Sequence, residues 1–354
     1  MSESQTHGTR APRIAVVIPC YRVAAHVGEV VRSIPASCDV IICVDDASPD
    51  DVAGALAALD DPRVVYLRHD RNRGVGGAVK TGWAEALARD ADIIVKLDGD
   101  GQMDGRDIDA LVAPLVRGRA DFAKGNRFVH NAALRAMPRA RLVGNAALSL
   151  GVKAVSGYWN VLDPTNGFVA IRADVLRRLD RSSLADRYFF ETSLLVELNI
   201  ERARVADVAL PARYGNAPSS LGVRHSLITF PMRLARALAR RFYWRYLIQD
   251  FGIVSVATLF GFPLVAFGTA FGAWHWVKSV QTGVPATAGT VFVAALPIIL
   301  GAQLLLVAVV LDVLASPSEK YGERMHEAPR GAAASRAALR TNDPLSSRRR
   351  SRTR

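Results

Sequence analysis

The sequence is poor in cysteine. Cys20, Cys38 and Cys43 are the only three in 354 residues. Their number is odd and their spacing suits no metal, so they read as packing residues in a reducing compartment. The N-terminus lacks an apolar run: Met1 to Arg13 is polar, which argues against a secretory signal and for a disordered lead over residues 1–13. His69, His130 and His225 are scattered without ligand spacing, no Ser, His and Asp set stands out, and no internal repeat is visible. Charge is missing altogether from Phe251 to Trp276 and from Ala286 to Leu311. Each of these runs exceeds the roughly 20 residues that a helix needs to cross about 30 Å of hydrocarbon. Two in succession, joined by a short polar turn, predict transmembrane helices over residues 251–277 and 286–312.

The net charge of +12 would suit nucleic acid, but its placement suits a membrane. From Ser316 to Arg354 there are ten Lys/Arg against four Asp/Glu, half of the excess. A second basic cluster, Arg224, Arg233, Arg236, Arg240, Arg241 and Arg245, precedes the first apolar run, and only Lys278 lies between the runs. This distribution predicts a cell-membrane protein with two spans, both termini and the main domain cytoplasmic, a basic disordered tail over 316–354, and membrane lipid rather than nucleic acid as the partner of the charge. Residues 223–250 form a juxtamembrane region. Within it, Met232 to Tyr246 has helical spacing: Ala235, Leu238, Ala239, Phe242 and Tyr246 share one side. Arg233, Arg236 and Arg240 lie opposite, with Arg241 and Arg245 at the margin, as in a helix lying on a membrane surface.

Residues 14–222 read as the catalytic domain. Short β-branched runs at Ile14–Ile18, Val40–Val44, Val64–Leu67 and Ile93–Leu97 alternate with helical spacing at Val23–Ser33, Val52–Leu59 and Ala78–Ala88. Such alternation predicts βαβ units and a mainly parallel, Rossmann-like α/β sheet. Beyond Asp104 the expected order is a helix at Ile108–Val116 and a strand near Phe122. An Arg- and Gly-rich stretch from Lys124 to Val155 follows, then a strand within Asp163–Arg172 and a helix at Tyr188–Leu198. Residues 204–213 close the domain.

Three motifs carry chemistry. In Lys96-Leu97-Asp98-Gly99-Asp100-Gly101-Gln102, two carboxylates and an amide oxygen follow an apolar strand, a hard-oxygen set suited to Mg²⁺ or Mn²⁺ with positions left for phosphate. Asp45 and Asp46 end another strand, where they can accept hydrogen bonds from a base or ribose, while Ser48 and Asp50 suit a helix N-cap. Asn72 to Gly82 is glycine-rich, yet Val79 stands where either a P-loop or a dinucleotide fingerprint needs a small residue. It reads as a helix entry that approaches a diphosphate.

In this order the motifs resemble the family 2 inverting glycosyltransferases of the GT-A fold, and most of all the polyprenyl-phosphate transferases of the dolichol-phosphate mannose synthase type. The correspondence includes Ile14 to Arg22, Gly125-Asn126-Arg127-Phe128, Asp163 to Phe168 and Tyr188-Phe189-Phe190-Glu191. The resemblance implies donor contacts at Pro19, Tyr21, Asp45, Asp46, Gly76, Lys80 and Asp98, with Asp46 on the nucleobase. It implies a metal on Asp98, Asp100 and Gln102, and acceptor phosphate on Arg127 and Arg141. No Gln-x-x-Arg-Trp signature of processive synthases is present. The implied reaction moves a sugar from a UDP- or GDP-linked donor to a polyprenyl phosphate, with Asp100 and Arg127 in the catalytic set. A sugar hydroxyl as acceptor would need a base, for which Glu191 is the candidate. Two rival readings are a membrane transferase that extends a lipid-linked saccharide of the cell envelope, and a silent nucleotide-sugar-binding scaffold. Homo-oligomerisation is left open.

The charge distribution makes one expectation directly testable. A reporter fused after Arg354 is expected to be active only if it functions in the cytoplasm, whereas a tag inserted between Lys278 and Pro285 is expected to be accessible from outside intact cells.

Overall fold

The computed structural model describes residues 10–127, 139–211 and 223–317, with the side chains of 139–143, 145 and 223–229 excepted. The expected lead before residue 10 and tail beyond residue 317 lie outside these residues. Seven strands, β1 (Ile14–Cys20), β2 (Val40–Asp45), β3 (Val64–Arg68), β4 (Ile93–Lys96), β5 (Phe122–Asn126), β6 (Val169–Arg172) and β7 (Val205–Ala209), form one sheet in the order β3-β2-β1-β4-β6-β5-β7. All neighbours are parallel except β6, which runs antiparallel to both β4 and β5. β1, β2 and β4 are nearly continuous apolar runs because both of their faces are covered.

The two-residue period of the strands sorts their side chains into two cores. Ala15, Val17, Ile42 and Val44 face α3 (Val75–Ala88) and α7 (Phe190–Ile200), where Trp83, Phe190 and Leu194 are packed. Val16, Ile18, Ile41 and Cys43 face α1 (Ala24–Ser33), α2 (Val52–Ala57) and α4 (Ile108–Val116). Cys20 and Cys38 join Cys43 in this second core, and all three are free thiols. The helix capping at the β2 end divides differently from the sequence expectation. Asp51 caps α2 through Gly54 N, while Asp50 reaches across to accept from Ala24 N at the start of α1.

The Arg- and Gly-rich stretch, to which the sequence assigned no element, contains α5 (Arg139–Ser156), an 18-residue helix. Its arginines and glycines dilute the apolar period, which is carried by Val152 and Val155 against the domain. A short helix, α6 (Ala173–Arg178), follows β6 and also had no clear sequence signal. The juxtamembrane segment is α8 (Val223–Arg241), continued by a π-helical turn from Phe242 to Gln249. It presents Leu238, Tyr243, Trp244 and Ile248 outward. Part of its basic side is turned inward, however: Arg240 pairs with Glu197 at 2.6 Å and Asp180 at 2.9 Å, and Arg241 and Arg245 are buried rather than marginal, whereas Arg233 and Arg236 are exposed. Tyr246 is likewise buried.

α9 (Ile253–Thr282) and α10 (Ala288–Leu314) are long and apolar enough to cross a membrane, about 45 and 40 Å at 1.5 Å per residue. They pack on each other through glycine. A Cβ at Gly301 would stand 2.7 Å from the Gly261 carbonyl oxygen, so only the bare backbone allows this approach. Their outer faces expose Phe260, Phe262, Phe292 and Leu306, with Trp274 and Trp276 toward the end away from the sheet domain.

One ionic cluster ties the spans to the domain. Asp312, near the end of α10, accepts from Arg241 Nη1 at 2.8 Å and Nη2 at 3.1 Å, from Trp159 Nε1 at 3.2 Å and from the Tyr246 hydroxyl. Arg241 also donates to the Ala154 carbonyl at 3.1 Å. Removing one partner of a buried pair strands the other charge, which typically costs about 3–5 kcal/mol. Asp312→Ala is therefore expected to lower the melting temperature of the detergent-solubilised protein by several degrees, and Asp312→Asn by less, measured by intrinsic fluorescence.

Candidate active site

The antiparallel strand β6 organises the site. Its register places Val169 opposite both Lys96 of β4 and Lys124 of β5, so the two lysines flank it on the same side of the sheet, beneath the start of α7. Lys96 is fully buried, and its ammonium donates to Asp98 Oδ1 at 2.7 Å, to the Gly167 carbonyl at 3.3 Å and to Glu191 Oε1 at 3.4 Å. Burial would push this lysine down, but the charges of Asp98 and Glu191 outweigh it and hold the ammonium above its ordinary value. Glu191, in the first turn of α7, is thereby joined to the acidic turn after β4.

Lys124 is equally buried and donates to the Asn166 carbonyl. Here desolvation wins, and the ammonium is pushed down to about 8 despite the attraction of Glu191 and Asp163. Asn166 secures the turn that carries these contacts: its Nδ2 donates to the Gly125 carbonyl at 2.7 Å, and its Oδ1 accepts from Phe168 N at 3.0 Å. Beside it, Arg127 grips the buried Asp163 with Nε at 2.8 Å and Nη2 at 3.3 Å. Neither Lys96 nor Lys124 was singled out as a site residue from the sequence. The available signal was a lysine inside each of two otherwise apolar strands.

Asp98 is part-buried and Asp100 exposed at the turn, which Gly101 closes with φ +76°. Desolvation by the surrounding chain and then the negative charge of Asp98 raise the Asp100 carboxyl above its usual value. Gln102 N donates to Asp100 Oδ1 at 3.0 Å. Among the described residues no three His, Cys, Asp or Glu side chains converge as a complete cage. Two crowded carboxylates with an amide oxygen nearby nonetheless fit Mg²⁺ or Mn²⁺, which are commonly held by one or two carboxylates plus substrate phosphates.

The residues expected on the donor side are arranged less simply. Tyr21 is exposed, with the Arg22 guanidinium 5.4 Å from its ring centroid, and Pro19 lies in β1 beside Val44 of β2. Asp45 and Asp46 are buried and already partnered. Asp45 accepts from Ser48 N and the Tyr66 hydroxyl, each at 2.7 Å, and pairs with Arg68 at 3.2 Å. Asp46 meets His69 Nδ1 at 2.7 Å, Arg73 N at 2.8 Å and Gly74 N at 2.7 Å. In this conformation Asp46 holds the loop after β3 instead of presenting an open acceptor.

The glycine-rich entry to α3 also departs from expectation. The helix starts at Val75, and Gly76 N and Gly77 N donate to the Asp186 carbonyl at 2.8 and 3.3 Å. A Cβ at Gly76 would lie 2.2 Å from the Ala185 carbonyl oxygen, so glycine is required for the 184–187 loop to seat there. Lys80 completes this seat through the Leu184 carbonyl at 3.1 Å and Asp186 at 2.5 Å. The first-turn amides expected to approach a diphosphate are thus taken by the protein's own loop. Arg141 falls in α5, and its side chain lies outside the described residues.

The depressed Lys124 value has a signed consequence. Between about pH 8 and the ordinary lysine range the unfolded chain binds more protons than the folded one, so this group makes stability rise with pH. The wild type is expected to gain melting temperature relative to Lys124→Met as pH goes from 7 to 10, by at most about 3 kcal/mol equivalent. The readout is the slope of that difference, whatever its offset at pH 7.

With this geometry in view, the likeness to known proteins is specific. The model of the family described as Glycosyl transferase family 2 matches residues 15–180. The chain is 28% identical over 216 residues to UDP-N-acetylglucosamine–dolichyl-phosphate N-acetylglucosaminyltransferase of Methanococcus voltae, covering 57% of this chain and 86% of that protein. It is 32% identical to polyprenol monophosphomannose synthase of Mycolicibacterium smegmatis over 51% of this chain and 70% of that one. It is 31% identical to undecaprenyl-phosphate mannosyltransferase of Micrococcus luteus over 56% and 82% respectively. The seven-stranded, mostly parallel sheet with its acidic turn after β4 agrees with the mainly parallel α/β domain expected from the sequence. On the strength of the shared motifs and of two relatives above 30% identity along most of their length, the chain belongs to glycosyl transferase family 2.

Proposed function

We propose that the protein transfers a sugar from a UDP- or GDP-linked donor to a polyprenyl phosphate at the cytoplasmic membrane face, with inversion and with Mg²⁺ or Mn²⁺. The observation that carries this reading is the Lys96-bridged set of Asp98 and Glu191 beside Arg127, in a domain joined through Asp312 to two apolar helices. The three relatives are named as acting on dolichyl, polyprenol or undecaprenyl phosphates, which supports a lipid phosphate as acceptor. Their names divide between N-acetylglucosamine and mannose, so the donor is best sought in both classes.

In this reading Asp98, Asp100 and Gln102 hold the metal, which when bound offsets the charge of the departing nucleoside diphosphate. Lys96 keeps Asp98 and Glu191 in one arrangement, and the fork of Arg127, steadied by Asp163, orients the incoming phosphate. The acceptor oxygen attacks the anomeric carbon from the face opposite the leaving group. A C–O bond forms to the lipid phosphate as the bond to the diphosphate breaks, and the electron pair leaves with the diphosphate. The attacking oxygen is already ionised near neutral pH, so no side chain has to remove a proton from it. Glu191, engaged by Lys96, then has an orienting role.

The test is transfer by the purified full chain from UDP-N-acetylglucosamine or GDP-mannose to polyprenyl phosphate and, separately, to a lipid-linked sugar. Asp98→Ala, Asp100→Ala and EDTA are each expected to reduce transfer by on the order of 10²-fold or more, with EDTA reversed by added Mn²⁺ or Mg²⁺. Arg127→Lys is expected to impair transfer far more than donor binding. Glu191→Gln is expected to retain more activity with a phosphate acceptor than the roughly 10²-fold or greater loss typical of removing a general base. Transfer to the lipid-linked sugar alone would overturn the lipid-phosphate reading.

A further inference from the structure

A second basic feature lies across α7 from the acidic turn. A cavity of about 840 Å³ opens between the loop after β3, the 183–189 loop, α7 and α8. On α7, Ser193 and Glu197 line it, whereas Glu191 points to Lys96. At 100° per residue these two positions are about 200° and 240° around the helix from Glu191. The cavity therefore occupies the other side of α7 from the acidic turn.

Its charge is unbalanced. Arg71, Arg73, Arg187, Arg233 and Arg236 all line it, and among the described residues no carboxylate lies within ion-pair distance of any of them. The two carboxylates on its wall are already engaged, Asp186 by Lys80 at 2.5 Å and Glu197 by Arg240 at 2.6 Å. Five exposed guanidinium groups face one space, and their planar forks match phosphate oxygens. The rest of the wall includes the apolar Phe189, Val196 and Ala237. Arg233 and Arg236, one turn apart, belong to the helix whose opposite side exposes Leu238 and which leads into the apolar spans.

We propose that this cavity is a second anion site, on the other side of α7 from the acidic turn, which binds the phosphate of an anionic amphiphile at the membrane surface. A phospholipid headgroup at the membrane surface supplies this chemistry. Free phosphate supplies the anion alone.

The experiment is thermal melting of the full-length protein in detergent, with no sugar donor and no polyprenyl phosphate, so its outcome does not depend on the transfer reading. Titrants are short-chain phosphatidylglycerol, short-chain phosphatidylcholine and inorganic phosphate at matched ionic strength. Phosphatidylglycerol is expected to raise the melting temperature saturably and phosphatidylcholine not to. Arg187→Gln/Arg233→Gln/Arg236→Gln is expected to weaken the phosphatidylglycerol midpoint at least 10-fold. The corresponding lysine triple keeps the charge and is expected to weaken it less, and Arg10→Gln/Arg32→Gln/Arg177→Gln not at all. Melting without titrant verifies that each variant is folded, and the lysine triple serves if the glutamine triple is not. Equal protection by inorganic phosphate supports the anion site and assigns it a soluble phosphate, whereas protection by phosphatidylglycerol alone assigns the lipid. Protection that is absent, or the same in the cavity triples and the control triple, overturns the proposal.

Discussion

One buried ammonium holds the centre of this molecule together. Lys96 ends β4 inside the sheet, where an unpaired charge would be costly, and the cost is met by Asp98 on one side and Glu191 on the other. Those two carboxylates come from segments more than ninety residues apart. The ammonium thus couples the acidic turn to the start of α7, and the Gly167 carbonyl adds the turn before β6 to the same point. Lys124 meets that turn from the other flank, through Asn166. The contrast between the two is electrostatic. Burial pushes both ammonium groups down, but Lys96 has two carboxylates in contact that outweigh it, while Lys124 has only a carbonyl and stays lowered.

The same logic recurs where the domain meets the apolar helices. Asp312 is the one acidic residue of α10, and it gathers Arg241, Tyr246 and Trp159 around it. Arg240 meanwhile fastens α8 to Glu197 and Asp180. The juxtamembrane segment is consequently two-sided: Arg240 binds Glu197 and Asp180 of the domain, Arg241 binds Asp312 of α10, and Leu238, Trp244 and Ile248 remain available to an apolar phase. Amphipathic spacing predicts that the two sides differ, but it does not say that protein carboxylates, rather than lipid headgroups, take part of the basic side.

Glycine in the Asn72–Gly82 segment shows how a motif can be visible while its partner within the fold is not. Such residues before a helix suggest a bound diphosphate, because bare amides attract anions. Here Gly76 and Gly77 instead admit the 184–187 loop, whose Asp186 carbonyl takes the amides. The loop is remote in sequence, and nothing local announces it. Asp46 is similar: its place at a strand end was legible, whereas its three partners, His69, Arg73 and Gly74, depend on how the next crossover returns.

The sequence by itself determined the alternation of strand and helix through Ile93–Lys96, the acidic turn at Asp98 and Asp100, and the two long apolar helices. Each of these is a local pattern with a period or spacing of its own. It did not reveal α5, where Arg and Gly interrupt the apolar period although Val152 and Val155 still pack inward. Only the tertiary structure decided that β6 runs antiparallel between β4 and β5, and so which residues share the site. Strand order is a long-range choice: Val169 can stand between Lys96 and Lys124 only once the chain has folded back, because the energy that selects this register lies in contacts no short window contains.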